Sequence, residues 1–439
     1  MQRGHDDDAG PTTLWRQGTD AAARSPVPVD GFDIDLGALA AQLGTPLHVY
    51  SAPAIAARIA ELQHALRGLD ALACYAVKAN GSTAVLRLMA DAGLGADIVS
   101  GGELRRALRA GIAASRIVFS GVGKSAEEIA QALSARILRF NVESQDELDV
   151  LQDVAARAGL VADASVRVNP DVDARTHEKI STGKAGNKFG VCFDEARRWF
   201  AQAARRPNVR LDGLHVHIGS QILEPQPFQL AYSKVAALWR ELADAGHAIR
   251  SIDVGGGLGV AYRAGGERTP PATMQVEAMR SAFRGFDGRL LLEPGRWLVA
   301  EAGMLLTRVI RAKQDGGRNF LVVDAAMNDL QRPSLYDAWH EIEPLHPRSR
   351  RLPYEVVGPV CETSDTFARD RELPECIAGD LLLIRTTGAY GASMGSTYNS
   401  RPLAAEVLLD RGRYAVVRTR QTFEQMIAGE SPAGEWHTT

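Results

Sequence analysis

The chain has 439 residues, a formal net charge of −3 and 45 % hydrophobic residues. Because globular domains run to about 100–200 residues, two or three domains fit this length. The near-neutral charge argues against a general nucleic-acid binder, whose surface is usually strongly basic. The hydrophobic fraction is that of a globular chain with a sizeable core, not of a disordered one.

The cysteines and the apolar segments favour a reducing compartment and no membrane span. The four cysteines form no CxxC pair, which disfavours a disulfide framework or a zinc site. The best apolar stretch, residues 297–306, is too short to cross a membrane and contains Glu301. The N-terminus is acidic and lacks the apolar core of a signal peptide. We therefore expect a cytoplasmic protein with neither a nucleic acid nor a membrane as partner.

Eight short apolar runs alternate with helical patterns between residues 45 and 295. In the helical patterns the apolar residues recur at three and four positions. Such alternation predicts parallel strands joined by crossover helices, and eight units in about 250 residues is the size of a (β/α)8, or TIM, barrel. A doubly wound open sheet is the alternative fold. The runs span residues 72–80, 95–102, 117–123, 138–144, 164–170, 211–220, 249–257 and 289–295.

The segments on either side of the predicted barrel, which spans residues 45–295, have other patterns. Residues 1–28 lack hydrophobic periodicity and are predicted to be a mobile tail. Residues 29–44 are predicted to be a short segment that packs with a C-terminal β-domain. Residues 296–425 contain β-branched runs separated by turn residues, which predict that all-β domain as a barrel or a sandwich. Residues 426–439 are predicted to be a C-terminal tail.

Eight polar residues stand near the carboxyl ends of the eight runs. In a parallel barrel these strand ends form one rim, where catalytic residues collect. We therefore expect the functional site at this rim. The residues are Lys78, Asp97, Ser120, Asn141, Arg167, His217, Asp253 and Glu293.

Two features of the rim predict a bound aldehyde and a bound phosphate. Lys78 can act as a nucleophile toward an aldehyde if burial and nearby cations lower the pKa of its amine. A strand-end lysine that reaches solvent is the alternative. Gly255, Gly256 and Gly257 follow the seventh run, where their backbone N–H groups could approach a phosphate closely. A tight turn would use the same glycines.

The remaining rim residues fit a flat aromatic cofactor. His217 is suited to stack on its ring while Ser220 binds its phosphate, and a core histidine is the alternative. Glu293 can keep a pyridinium nitrogen protonated, and Arg296 can clamp a carboxylate or a phosphate; a surface ion pair is the alternative. No HExxH or comparable ligand set is present, so we predict no metal site. Together these residues describe a site for pyridoxal phosphate.

Nearly the whole chain, residues 30–425, resembles the diaminopimelate decarboxylases, a family of fold type III pyridoxal phosphate enzymes with an alanine-racemase-like barrel. The resemblance implies a TIM barrel followed by a β-domain. It also implies decarboxylation of meso-2,6-diaminopimelate to L-lysine and carbon dioxide, the last step of lysine biosynthesis. The motifs that carry it are YAVKAN at 75–80, RVNPDVDARTHEKISTG at 167–183, NKFG at 187–190, HVHIGSQ at 215–221, DVGGGLGV at 253–260, EPGR at 293–296, DAAMNDLQRPSLYDAWH at 324–340, GPVCETSD at 358–365 and GAYGASMGSTYNSRP at 388–402.

The resemblance implies roles for individual residues. Lys78 would bond to pyridoxal 5'-phosphate, and Cys361 would protonate the carbanion left by carbon dioxide. Cys361 and Glu362 would serve the partner subunit's site, so a homodimer would be the smallest active unit. The implied cofactor-binding residues are Lys78, His217, Ser220, Gly255, Gly256, Gly257, Glu293, Pro294, Gly295, Arg296 and Tyr390. The implied substrate-binding residues are Arg296, Arg332, Tyr336, Glu362 and Tyr390.

The implied substrate has two charged amino-acid ends, and the end away from the cofactor carries a carboxylate. Arg296 and Arg332, with Tyr336, can donate to that carboxylate, and Glu362 can accept from the distal ammonium. Ornithine and lysine lack the distal carboxylate and would leave the arginines unpaired in a dry site. A salt bridge to Asp329 is the alternative for Arg332.

Two other functions stay open. A related decarboxylase of the same fold would act on ornithine, arginine, lysine or a carrier-tethered amino acid. A non-enzymatic homologue is disfavoured, because such proteins usually lose the lysine or the cysteine and this chain has both Lys78 and Cys361. Trp297, beside Arg296, stands where the family frequently has a small or polar residue, so it could reshape the edge of the pocket.

Overall fold

The structure, a computed structural model, contains twelve α-helices and seventeen strands in its described part. The predicted tail 1–28 lies outside that part, as do portions of the motifs at 167–183 and 187–190. The described residues are 32–173, 188–265, 268–432, 434 and 436. The helices are α1 (Leu36–Leu43), α2 (Ala52–Ala65), α3 (Thr83–Asp91), α4 (Gly101–Arg109), α5 (Ala126–Ala135), α6 (Gln145–Ala158), α7 (Phe193–Ala201), α8 (Pro225–Asp244), α9 (Thr273–Ala282), α10 (Arg296–Val299), α11 (Arg332–Tyr336) and α12 (Phe423–Ile427). The strands are β1 (Leu47–Ser51), β2 (Ala71–Ala76), β3 (Gly95–Ile98), β4 (Ile117–Phe119), β5 (Arg139–Val142), β6 (Ala162–Arg167), β7 (Val209–His215), β8 (Ser251–Asp253), β9 (Arg289–Leu292), β10 (Gly303–Asp315), β11 (Arg318–Val323), β12 (Ile342–Pro344), β13 (Arg351–Val357), β14 (Thr366–Pro374), β15 (Leu381–Ile384), β16 (Ala405–Asp410) and β17 (Arg413–Arg418).

Strands β2 to β9 close into a barrel in the order of the chain. All neighbours are parallel, and β2 pairs with both β3 and β9, so the ring has no edge. Each of the eight predicted runs overlaps one of these strands. The (β/α)8 barrel is therefore confirmed, and the doubly wound open sheet is wrong.

Serine caps fix where three of the crossover helices begin. Ser100, Ser125 and Ser144 each accept a hydrogen bond from the backbone N–H three residues further on, at the starts of α4, α5 and α6. In α5 Glu128 returns a bond to the cap backbone and completes a capping box. These caps limit the length of the loops after β3, β4 and β5, and so hold the rim in place. Among the described helices, none has the length and apolar composition needed to cross a membrane.

The second sheet is built mainly from the C-terminal part of the chain and takes in one N-terminal strand. Its order is β14-β13-β11-β10-β1-β16-β17, with β15 beside β10 and β12 beside β15. β1 pairs antiparallel with β10 and parallel with β16. Helix α1 packs on this sheet in one apolar cluster with Val49, Leu306 and Val407. The predicted β-domain is therefore present.

The domain boundaries differ from the predicted ones at three places. The barrel was expected from residue 45, but β1 lies in the second sheet, because a strand buried along its whole length carries no sign of which sheet it joins. The β-domain was expected from residue 296, but α10 packs in the barrel core through Trp297 and Leu298. The C-terminal tail was expected from residue 426, but this residue lies within α12. That helix begins after a capping box at Thr422.

The two domains meet at a contact that admits no side chain. The backbone N–H of Gly388 donates to the carbonyl of Ala300 at 3.0 Å. A Cβ on Gly388 would lie 1.9 Å from the carbonyl oxygen of Val299. The carbonyl of Gly388 in turn accepts from the side chain of Asn80 at 3.0 Å, and the N–H of Tyr390 donates to Ala79 at 2.8 Å. The β-domain is thus bonded directly to the loop that follows β2.

We expect Gly388→Ala to destabilise the protein by about 2 kcal/mol or more, because the added methyl group forces two backbones apart. The matched control is Gly123→Ala, where a Cβ would meet nothing within 4 Å, and its effect should stay within about 0.5 kcal/mol. Urea denaturation followed by circular dichroism measures both. Equal denaturation midpoints for the two variants would show that the contact is not tight.

Candidate active site at the barrel rim

Lys78 and Asp97 face each other at the carboxyl ends of β2 and β3. Lys78 lies in a single helical turn that follows β2, and its Nζ is 2.9 Å from Oδ2 of Asp97. The lysine side chain is 38 % exposed, whereas the Asp97 side chain is fully buried. The other oxygen of Asp97 has no hydrogen-bond partner among the described residues. The amine therefore lies at the mouth of the barrel, above a buried acid.

The pKa of Lys78 moves in the direction opposite to the expected one. Burial alone would lower this pKa, but the carboxylates of Asp97 and Glu293 raise it above its usual value. The expectation of a lowered pKa assumed cationic neighbours, and it is wrong because the groups nearest the amine are acids. Lys78 is held as an ammonium here and must lose a proton before it can bond to an aldehyde.

Glu293 lies after β9 and is a buried acid of the rim, at 3 % side-chain exposure. Ser120 and Asn141 donate to its Oε1 at 3.2 and 3.3 Å, and Nε2 of His215 lies 3.3 Å from the same oxygen. Burial alone would raise the pKa of Glu293, but His215, followed by Lys78, lowers it below its usual value. The site thus holds an ionised carboxylate that faces the barrel interior.

His217 and the three glycines after β8 bring several backbone segments unusually close together. A Cβ on Gly256 would lie 2.2 Å from the carbonyl oxygen of Glu293, and one on Gly255 would lie 2.9 Å from Nδ1 of His217. Gly255 and Gly257 have φ angles of +67° and +121°, which favour glycine. The N–H of Gly256 donates to Nδ1 of His217 at 3.1 Å. Burial, and then Arg167, lowers the pKa of His217 well below its usual value, so its ring is neutral.

A metal ion would fit the spacing of one acidic cluster. Donor atoms of His215, Asp253 and Glu293 lie within 4.8 Å of one another. However, Asp253 already accepts a hydrogen bond from the N–H of Gly255 at 2.9 Å, and burial followed by the charge of Glu293 raises its pKa. Contacts within the protein thus already engage an oxygen of Asp253, an oxygen of Glu293 and Nε2 of His215. The expected absence of a metal site stays a prediction.

Arg296 lies at the start of α10 and is buried among hydroxyl groups. Its Nε and Nη2 donate to Oγ of Ser220 at 3.2 and 3.0 Å, and its Nη1 donates to the hydroxyl of Tyr262 at 2.6 Å. The guanidinium lies 4.8 Å from the ring centroid of Tyr390. The structure thus brings together three residues that the sequence assigned to the site, Ser220, Arg296 and Tyr390.

Arg332 and Tyr336 are the two ends of α11, and Arg332 reaches the same region from the β-domain. Its Nη1 lies 2.7 Å from Nε2 of His340, and its guanidinium lies 4.3 Å from the ring centroid of Tyr262. Asp329 instead accepts from a backbone N–H at 2.9 Å. In the described part of the chain no acidic side chain forms an ion pair with Arg332 or Arg296, so the Asp329 salt bridge is wrong.

Cys361 and Glu362 are exposed in the single chain, on the loop 358–365. The carboxylate of Asp365 organises that loop by accepting from two backbone N–H groups at 2.6 and 2.7 Å. Asn399 accepts from the N–H of Cys361 at 3.0 Å. The thiol and the Glu362 carboxylate are therefore displayed outward by an ordered loop, and their place in a site stays a prediction.

Trp297 does not line the site as its position beside Arg296 suggested. Its indole N–H donates to the carbonyl of Pro270 at 2.8 Å. The guanidinium of Arg58, on α2, lies 4.7 Å from its ring centroid. Arg296 and Trp297 thus leave α10 toward different neighbours, and Trp297 serves the packing of α2.

The sequence analysis singled out neither Tyr262 nor His340, and it contained His215 only as part of the motif at 215–221. His340 is the last residue of the motif at 324–340, which was the one available signal. No local pattern marks Tyr262, because its contacts come from residues distant in the chain.

A family model described as the pyridoxal binding domain of pyridoxal-dependent decarboxylases matches residues 53–300. The chain is 46 % identical to the diaminopimelate decarboxylase of Zymomonas mobilis, over 92 % of this chain and 96 % of that protein. It is 48 % identical to the diaminopimelate decarboxylase of Neisseria meningitidis serogroup A, over 89 % and 96 %. The chain belongs to the diaminopimelate decarboxylases. The crystal structure of the Helicobacter pylori diaminopimelate decarboxylase complexed with L-lysine matches with a TM-score of 0.87 at 43 % identity, covering 90 % of this chain and 98 % of that one.

The residues of the rim fit the cofactor of a pyridoxal-dependent decarboxylase. Lys78 offers an amine, and Asp97 keeps a buried oxygen without a partner beside it. Glu293 is an ionised acceptor that suits a protonated ring nitrogen. The glycines after β8, with Ser220 and Arg296, supply small residues and cationic donors that suit a phosphate.

In the cofactor-free protein we expect Glu293→Gln to lower the pKa of His215. Burial lowers that pKa, and Glu293 raises it more than any other neighbour does, so removing the Glu293 charge lets the effect of burial dominate. Histidine-selective NMR titration measures the pKa, with His215→Asn assigning the signal. Because the folded pKa of His215 is raised, the stability that its protonation contributes is complete below about pH 6.5 and is lost as pH rises through the folded pKa. An unchanged titration in Glu293→Gln would contradict the pairing.

Proposed function

We propose that the chain removes one carboxyl group of meso-2,6-diaminopimelate as carbon dioxide and releases L-lysine, the last step of lysine biosynthesis. The observation that carries the proposal is the pair Arg296 and Arg332, buried beside the rim with neutral partners. Buried cations without acidic partners favour an anionic ligand. The names of the relatives, and the L-lysine complex of the Helicobacter pylori enzyme, support the same reaction.

Pyridoxal 5'-phosphate is the cofactor in this proposal. The amine of Lys78 would hold its aldehyde, Glu293 would face its ring nitrogen and His217 would lie against its ring. Support comes from the proximity of Lys78, Asp97 and Glu293, and from the close approach of backbone at the glycines. The residues proposed around the phosphate and its attachment are Ser220, Gly255, Gly256, Gly257, Pro294, Gly295, Arg296 and Tyr390.

When bound, pyridoxal phosphate supplies an aldehyde for the substrate amine and a ring that accepts the electron pair left when carbon dioxide departs. Glu293 would hold a proton on the ring nitrogen, since its own pKa stays low beside His215. Cys361 of the partner subunit would then donate its thiol proton to the carbon that lost carbon dioxide. The thiolate recovers a proton from solvent, so the carboxyl group is replaced by hydrogen.

The distal end of the substrate explains the need for both arginines. That end carries an ammonium and a carboxylate, and the carboxylate remains in the product L-lysine. Arg296 and Arg332 would donate to it, with Tyr336 and Tyr390 nearby, and Glu362 would accept from the ammonium. Ornithine, or lysine bound in the opposite direction, would leave the arginines without an anion. Buried charges without a partner are unfavourable in a dry site, so these substrates would bind less well than meso-diaminopimelate.

A homodimer is part of the proposal, because Cys361 and Glu362 are exposed in the single chain and would complete the site of the partner subunit. A cytoplasmic location is also proposed. All four cysteines are free, and Cys361 must remain a thiol to donate a proton. No nucleic acid or membrane enters the proposed reaction.

The purified protein with pyridoxal phosphate should release carbon dioxide from meso-diaminopimelate far faster than from lysine, ornithine or arginine. Sites that leave buried polar groups unpaired can discriminate by about 10⁴-fold. Carbon dioxide capture with each substrate at equal concentration gives the comparison. Faster release from ornithine or lysine would contradict the proposal and show that the substrate is an amino acid without a distal carboxylate.

Mixing two inactive variants tests the shared site. Lys78→Ala should lose activity because it lacks the amine, and Cys361→Ala because it lacks the proton donor. If each site takes these residues from different subunits, half of the dimers in an equal mixture are mixed and hold one intact site of two. The mixture should therefore recover about a quarter of wild-type activity.

The matched control is the separate variants, each of which should stay inactive after the same unfolding and refolding. Borohydride reduction and mass spectrometry should find the cofactor fixed to Lys78 in Cys361→Ala but not in Lys78→Ala. A mixture that recovers nothing, with dimers formed, would place both residues in one subunit's site.

A further inference from the structure

His340 makes two hydrogen bonds that together fix its proton. Its Nδ1 lies 2.8 Å from the backbone carbonyl of Arg385, which can only accept, so Nδ1 carries the hydrogen. Burial, and then the charge of Arg332, lowers the pKa of His340 to about 3, so the ring is neutral. Nε2 is therefore an acceptor, 2.7 Å from Nη1 of Arg332. The imidazole holds the arginine without neutralising it.

The sheet of the β-domain fixes the position of this imidazole. His340 comes just before β12, and Arg385 comes just after β15. β12 and β15 pair antiparallel with Ile342 opposite Ile384. The backbone carbonyl of His340 also accepts from Arg371 at 2.8 Å. His340 is thus anchored by its backbone, its Nδ1 and its neighbouring strand.

Tyr262 holds both arginines from the barrel side. Its hydroxyl accepts from Nη1 of Arg296 at 2.6 Å, while its ring face lies 4.3 Å from the guanidinium of Arg332. His340 packs edge-on against the same ring, with centroids 5.1 Å apart and planes at 76°. One aromatic residue of the barrel therefore joins the two arginines and the histidine into a single network.

The partners of the two arginines share one property: none of those described carries a negative charge. A hydroxyl, an aromatic face and a neutral imidazole each satisfy or attract a guanidinium but leave its charge intact. An aspartate or glutamate in either place would satisfy the same N–H groups and cancel the charge that a carboxylate ligand needs. Neutral acceptors thus hold the two guanidinium groups in position and leave their attraction for an anion intact.

We propose that Tyr262 and His340 are positioning residues that hold Arg296 and Arg332 through neutral contacts, and so keep both charges for the distal carboxylate of the substrate. The inference rests on the proposed function. It adds two residues to the specificity of the site, and neither of them needs to touch the reacting carbon. Their loss should weaken binding of ligands that carry the carboxylate more than it slows the chemical step.

Two substitutions at His340 separate positioning from packing. In His340→Gln the longer amide can place an acceptor near Arg332. In His340→Asn the shorter amide can keep the bond to the Arg385 carbonyl but cannot reach Arg332. We expect His340→Asn to raise KM for meso-diaminopimelate about tenfold or more, because a hydrogen bond to a charged group is lost. Its kcat should change less than KM, and His340→Gln should recover part of the loss.

Two inhibitors then test whether the carboxylate is what is lost. L-lysine retains the distal carboxylate of the substrate, and cadaverine is the same molecule without it. In His340→Asn, inhibition by L-lysine should weaken by about the same factor as KM rises, while inhibition by cadaverine should change by less than about twofold. Tyr262→Phe, which keeps the ring under Arg332 and removes the acceptor for Arg296, should show the same selectivity.

The holoenzymes are compared with thermal melting and the cofactor absorbance spectrum as controls for folding. Equal losses in His340→Asn and His340→Gln, or equal weakening of L-lysine and cadaverine, would overturn positioning in favour of packing. Unchanged KM in His340→Asn would overturn it outright. A wild-type enzyme that leaves meso-diaminopimelate unchanged would instead defeat the proposed function, and the two failures are distinct.

Discussion

The carboxylate of Glu293 lies inside the barrel, and the rim is arranged around keeping it charged. Burial favours the neutral acid, yet His215, Ser120 and Asn141 surround the carboxylate with donors and lower its pKa. These donors come from three other strands or strand ends, which only a closed barrel brings together. The same closure sets Lys78 above Asp97. Ring closure is thus what permits a charged acceptor in a dry interior.

The positively charged residues of the site have two different kinds of partner. Lys78 has an acidic partner, whereas Arg296 and Arg332 have neutral ones. An acid beside the lysine raises its pKa and stores a proton that must leave before the amine can bond. Neutral partners beside the arginines leave their charges free. The difference separates the acidic surroundings of Lys78 from the neutral surroundings of the two arginines.

The contact between the domains is part of the site. Tyr390 is bonded to the loop after β2, and Gly388 allows that approach because no Cβ intervenes. Arg332 and His340 come from the β-domain, and Arg296 and Tyr262 come from the barrel side. The group formed by the two arginines, Tyr262 and His340 therefore exists only where the two domains touch.

Eight strand runs, their polar ends and the glycines after β8 were readable from the sequence, because hydrophobic periodicity and turn chemistry are local. The entry of β1 into the second sheet was not, since strand pairing depends on residues hundreds of positions apart. The raised pKa of Lys78, the neutral partners of the arginines and the contacts of Tyr262 and His340 were also not readable from the sequence. Each depends on which charges and acceptors the closed barrel and the domain contact bring within a few ångströms, and no local pattern encodes that distance.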